Sequence, residues 1–153
     1  MLVSGHQKQT SMNITPYLEK ICQTPHARKL NLKLVSSGEQ SITLTLPYSN
    51  NIIGDSVNNY IHSGAVSTAI DTACGAAILQ AQNNLRAMAT LDLRIDHVRP
   101  ADSGADINVY ADCYHLTHTI AFVRASAYTD DVKSPIATAV GTFMRSNKQF
   151  PLK

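Results

Sequence analysis

One carboxylate stands alone on the most apolar stretch of the chain. From Gly64 to Leu85 the ionisable side chains are Asp71 and Cys74, set among Ala65, Val66, Ala69, Ile70, Ala73, Ala76, Ala77, Ile78 and Leu79. An unpaired carboxylate is costly to bury, and desolvation raises its basicity, so Asp71 reads as a general base or a nucleophile. His62 lies nine residues earlier, followed by Ser63 and Gly64. Backbone N–H groups at a helix start carry partial positive charge and suit a developing oxyanion. His62 is itself a candidate base, but its place before those amides favours a ring that fixes the loop. Cys74 sits one turn beyond Asp71 with no cationic neighbour to form a thiolate, which makes it a poor nucleophile. His97, His115 and His118 show no ligand spacing, so no metal is expected. Neither G-x-S-x-G, a P-loop nor G-x-G-x-x-G occurs.

Several elements must position these groups. The apolar residues of His62–Leu85 occupy nearly the whole circumference of a helix, which predicts burial all round. A membrane span is a poor fit, because Asp71, Gln80, Ser67, Thr68 and Thr72 interrupt the stretch. Ahead of it, a short helix is predicted over 15–24, capped by Thr15 and stopping before Pro25. Alternation at Leu30, Leu32 and Leu34, then at Ile42, Leu44 and Leu46, predicts two strands joined at Ser36–Glu39. Residues 49–61 read as a loop that delivers His62. Met88–Val98 is a strand in which Ala89, Leu91, Leu93 and Ile95 face one way and Thr90, Asp92, Arg94 and Asp96 the other. Strands follow at Ile107–Leu116, Ile120–Thr129 and Ile136–Arg145, joined by turns short enough to make them antiparallel. The fold class is therefore α+β, a six-stranded curved antiparallel sheet wrapped around one long buried helix. Alanine-rich faces fit it, since such a sheet closes on a helix only through small side chains.

Composition sets the remaining bounds. At 153 residues, 44% hydrophobic and 16% charged, the chain reads as one domain over 1–153, with a core at 30–146 and a tail at 147–153. Residues 1–12 read as frayed. A net charge near +2 with no Lys/Arg cluster argues against a nucleic-acid surface. The first residues lack a signal-peptide pattern, and three widely spaced cysteines suit a reducing cytoplasm.

The stretches Ile52–Ala77, Ala89–Gly104 and Ile136–Ser146 together resemble the hotdog-fold acyl-CoA thioesterases of the phenylacetate-degradation (PaaI-like) type. In that family a glycine-containing loop leads to H-G-G and a helix with a D-T-A-x-G-like segment, and a T-x-D-L-x-I strand ends in R/K-P-A. Here these read His62-Ser63-Gly64, Asp71-Thr72-Ala73-Cys74-Gly75 and Thr90-Leu91-Asp92-Leu93-Arg94-Ile95 through to Arg99-Pro100-Ala101. The resemblance implies hydrolysis of acyl-CoA or aryl-acyl-CoA by a homodimer or homotetramer, with active sites between subunits. It places Asp71 at the acidic catalytic position, the N–H groups of Ser63 and Gly64 at the thioester carbonyl, and Thr90 beside the attacking water. No cofactor beyond the coenzyme A of the substrate is implied. Two departures stand out: Ser63 replaces a glycine, and Ser56 stands where the family often has Asn, with Asn58 and Asn59 nearby. Tyr60 could face the acyl group, and Arg94, Arg99, Arg86 and Lys133 are candidates for the phosphates. The strand over Thr90–Val98, free of proline, is an edge that would pair with a second copy. The alternatives on the same fold are an acyl-CoA binding protein without catalysis and a dehydratase or hydratase.

Overall fold

The structure is a computed structural model that describes residues 12–149. Most of the predicted frayed start, residues 1–11, and residues 150–153 of the predicted tail lie outside it. Thr15–Ile21 forms α1 and Pro25–Lys29 forms α2. The sequence predicted one helix ending before Pro25. Pro25 instead opens the second helix, with Thr24 extended ahead of it, because proline presets a helical φ and lacks an N–H that a first turn leaves unpaired anyway.

β1 (Lys33–Ser37) and β2 (Ser41–Leu46) form the expected hairpin, although Leu30 caps α2 and Leu32 precedes the strand. The segment read as a loop is ordered instead. It holds a short 3₁₀ turn at Asn50–Ile52 and a hairpin of β3 (Ile53–Asp55) with β4 (Tyr60–Ile61). Asp55 closes that hairpin: its Oδ2 accepts from Asn58 Nδ2 at 2.7 Å, and its Oδ1 accepts from the N–H groups of Val57 and Asn58 at 2.9 and 3.2 Å. The Asn58 amide and these N–H groups hold the Asp55 carboxyl below the usual carboxylate range. Asn59 supplies the left-handed residue, φ 57°, that the turn requires.

α3 runs Ser63–Gln82 and ends on Asn83 in the left-handed conformation, φ 47°. After it come β5 (Arg86–His97), β6 (Ile107–Leu116), β7 (Ile120–Tyr128) and β8 (Ala137–Gln149), the last running three residues into the predicted tail. The six-stranded sheet has the order β1-β2-β6-β7-β8-β5, every pair antiparallel, so β5 is an edge. α3 packs against β2, β5, β6 and β7. Ala69, Ile70, Ala73, Cys74, Ala77, Ile78 and Leu79 are buried, meeting small residues such as Ala111, Ala121 and Ala127 on the sheet. Among the described residues no helix is long and apolar enough to cross a membrane.

Two expectations about this core need correction. α3 is not buried all round: Gly64, Thr68, Asp71, Thr72 and Gly75, which share one face of the helix, form a partly accessible stripe. The apolar content is high on every side, but the sheet covers only part of the circumference. The second correction concerns β5. Thr90 pairs with Phe143 and Leu93 with Gly141, while Leu91 and Asp92 together stand opposite Thr142. This β-bulge shifts the alternation by one residue. Met88 and Thr90 therefore share the helix-facing side with Leu93 and Ile95, and Leu91 is 56% exposed. Gly141 makes the bulge possible, since a Cβ there would stand 2.7 Å from the Asp92 carbonyl oxygen.

Candidate active site

Asp71 projects from the open stripe of α3, half-buried rather than enclosed. The bulge in β5 aims Thr90 at it, and Thr90 Oγ1 donates to Asp71 Oδ1 at 2.8 Å. These two residues line a cleft of about 270 Å³ with Gly75, Met88 and Phe143. A carboxylate steadied through one oxygen keeps the other for water. The pair can thus take a proton from, or orient, a nucleophilic water. Cys74 cannot join this chemistry, because burial, reinforced by the Asp71 charge, pushes its thiol up to about 12.

A second cluster forms at the start of α3. His62 caps the helix, its Nδ1 accepting from Gly64 N–H at 2.9 Å. An accepting Nδ1 requires the proton on Nε2, so the ring serves as a cap and not as a base through that nitrogen. It also corrects the expectation for Gly64, whose N–H is already given to the ring. Ser63 N–H has no acceptor among the described residues. Gly54 of β3 lets the hairpin lie against His62, since a Cβ at Gly54 would stand 2.9 Å from three of its atoms. Ser63 also lines a cavity of about 410 Å³ with Val66, His97, Arg99 and Ile136. There His97 Nε2 lies 3.4 Å from Ser67 Oγ.

The two clusters lie apart. Ser63 and Asp71 are eight residues apart on α3, a rise of about 12 Å along the helix.

The family model of the thioesterase superfamily matches residues 58–136, from the β3–β4 hairpin to the start of β8. The chain belongs to the thioesterase superfamily. A crystal structure of a Pseudomonas aeruginosa protein is 37% identical, covering 85% of this chain and 97% of that one, with a TM-score of 0.78. The Escherichia coli PaaI protein of the phenylacetic acid degradation operon is 17% identical over 88% of this chain and 96% of its own, with a TM-score of 0.75. A Streptococcus mutans protein solved with acetyl-CoA is 18% identical over 78% of this chain and 91% of its own, with a TM-score of 0.67. At those two identities the likeness speaks for the fold, which is the hotdog fold. No curated protein matches the chain.

The other predicted residues of this superfamily member separate by position. Asn58 is committed to Asp55, and the Asn59 carbonyl accepts from Tyr48 Oη at 3.3 Å, so both are turn-forming residues of the hairpin. Ser56 is exposed at the same turn, and Tyr60 is half-buried in β4. Arg94 pairs across the ladder with exposed Val140, on the face turned away from α3, and bonds Asp96 at 3.2 Å. That removes it from both clusters. Arg86 gives its donors to Ser146, His118 and Asn147 beyond the end of α3. Arg99 lines the cavity beside Ser63, bonding the Ser134 carbonyl at 3.1 Å and lying 3.8 Å from Asp102 Oδ1. Sequence reasoning missed His97 at that cavity and the two supporting glycines. A glycine inside each strand was the available signal.

Proposed function

We propose that this protein hydrolyses acyl-CoA thioesters to the free acid and coenzyme A. The observation that carries the reading is the Thr90–Asp71 hydrogen bond on the wall of an open cleft. Asp71 acts as general base on water, or attacks the carbonyl directly. Thr90 donates a hydrogen bond to the carboxylate, which leaves its own hydroxyl lone pairs to accept from that water. Ser63 N–H, at the positive end of α3, receives the developing oxyanion. Because about 12 Å separates Ser63 from Asp71, the oxyanion donor comes from a second copy joined along the β5 edge. Each dimer then holds two sites, and a tetramer would double them.

Arg99, which lines the cavity beside Ser63, would meet a coenzyme A phosphate near the start of α3. The acetyl-CoA held by the Streptococcus mutans neighbour supports this ligand class on this fold. Water, a carboxylate and N–H donors suffice for the scheme, which needs no metal or redox cofactor. Three free cysteines, all buried, suit a reducing compartment. A hydratase would need a histidine facing the acid, and the partner of Asp71 here is a threonine.

The test is to incubate the protein separately with saturated acyl-CoA and enoyl-CoA and to follow free thiol. Thiol release from both is expected. Loss of the enoyl chromophore without thiol would indicate a hydratase, and no turnover of either would indicate a binding protein.

A further inference from the structure

Gly75 lies one turn beyond Asp71 in the middle of α3, where glycine is unfavourable relative to alanine. Packing within the chain does not demand it: nothing lies within 4 Å of where its Cβ would stand, whereas Gly54 and Gly141 are each pressed by neighbours. The space it leaves is the cleft beside Asp71, completed by Ala76, Met88 and Phe143, by Ile21 at the end of α1 and by Thr24 ahead of α2. The hydroxyl protons there are already committed. Thr24 Oγ1 donates to the Ile21 carbonyl, Thr72 Oγ1 to the Thr68 carbonyl, and Thr90 Oγ1 to Asp71. No cation lines the cleft among the described residues, and its one charge is a carboxylate.

We propose that this cleft receives the acyl group, that it selects unsubstituted hydrocarbon acyl chains of about six carbons, and that Gly75 and Ile21 set their length. The inference rests on the thioesterase reading. An acyl group ending in a carboxylate would meet Asp71 with no cation to offset the repulsion. A hydroxyl on the chain would be desolvated against Ile21, Ala76 and Phe143, whose side chains offer it no acceptor. Length follows from the helix: Asp71 to Gly75 is about 6 Å of rise, which an extended chain advancing about 1.2 Å per bond spans in about five bonds.

The experiment compares kcat/KM for acetyl-, hexanoyl-, decanoyl-, 3-hydroxyhexanoyl- and succinyl-CoA in the wild type, Gly75→Leu and Ile21→Ala, with light scattering on each. The wild type is expected to prefer hexanoyl over its hydroxylated and succinyl counterparts by at least about tenfold. Gly75→Leu should lower the hexanoyl-to-acetyl ratio by about tenfold or more, since obstructing even one methylene carries that effect. Ile21→Ala should move the preference toward decanoyl. A wild type that hydrolyses none of the esters overturns the thioesterase reading itself. Hydrolysis with an unshifted chain-length profile in Ile21→Ala overturns the acyl assignment alone. So does a Gly75→Leu variant that changes the state of association or lowers all substrates equally, because Gly75 would then serve packing between copies. Should Gly75→Leu fail to fold, Ile21→Ala decides.

Discussion

At the scale of single residues the reading depends on Asp71, Thr90 and Ser63, and each has a substitution that isolates its role. Asp71→Asn keeps shape and removes charge. It should lower kcat by about 10²–10⁴, the usual worth of general-base assistance. Its melting temperature should hold or rise, since a half-buried neutral amide is cheaper to desolvate than a carboxylate. Near wild-type turnover would make Asp71 a structural residue. Thr90→Val removes a donor to a charged acceptor, worth about 1.5–3 kcal/mol, so a loss of tenfold or more is expected, with Thr90→Ser retaining most activity. At position 63 the prediction separates backbone from side chain. Ser63→Gly should turn over within a fewfold of wild type, whereas Ser63→Pro, lacking the N–H, should lose about 10²–10³ in kcat. Equal, severe losses in both would mean that the Ser63 hydroxyl takes part in the chemistry.

At the scale of elements, β5 and the β3–β4 hairpin do most of the positioning. In Gly141→Ala the new Cβ would meet the Asp92 carbonyl at 2.7 Å. The bulge must shift to relieve it, so a loss of about 1–3 kcal/mol in stability is expected, read by thermal melting. Turnover should drop with it, because the aim of Thr90 depends on that bulge. The hairpin has a pH signature. Asp55 is lowered by the Asn58 amide and two N–H groups. Its contribution is therefore fully present above the ordinary carboxylate value, about 4, and is lost as pH falls through its lowered value. The stability gap between wild type and Asp55→Asn should accordingly be largest near neutrality and close in acid. A gap that widens in acid would show that the Asp55 bonds do not hold the turn. These elements also mark where the sequence was and was not legible. Asp71 could be found because a charge on a small apolar helix is conspicuous, and the sheet could be drawn because its strands alternate. Thr90, counted by alternation, fell on the wrong face: one extra residue at Leu91 reverses the parity, and nothing local announces it. Pro25 read as a stop because proline ends one helix and opens the next with the same ring. The polar segment before His62 concealed a hairpin held by side-chain bonds, which periodicity cannot reveal.

At the scale of the whole molecule, the distance between Ser63 and Asp71 governs what can be expected. A homodimer joined along β5, the sheet edge next to β8, should be visible by light scattering at micromolar concentration, and a monomer there would remove the shared site. A mixing experiment tests the sharing directly. Asp71→Asn and Ser63→Pro, each inactive alone, should recover about a quarter of wild-type activity when reassembled together. Half the dimers would then be mixed, with one of two sites intact, as twofold symmetry dictates. No recovery in dimers shown to have exchanged would place both groups in the same chain's site. A further consequence concerns dosage. If the base and the oxyanion donor of a working site come from different copies, as proposed, the chain is an enzyme only by mass action. Its specific activity should fall on dilution as dimers dissociate, and added substrate should slow that fall to the extent that it bridges the two copies. A molecule that pairs with the exposed edge of β5 would then silence turnover while leaving the cleft untouched. It would be an inhibitor of association and owe no likeness to a thioester.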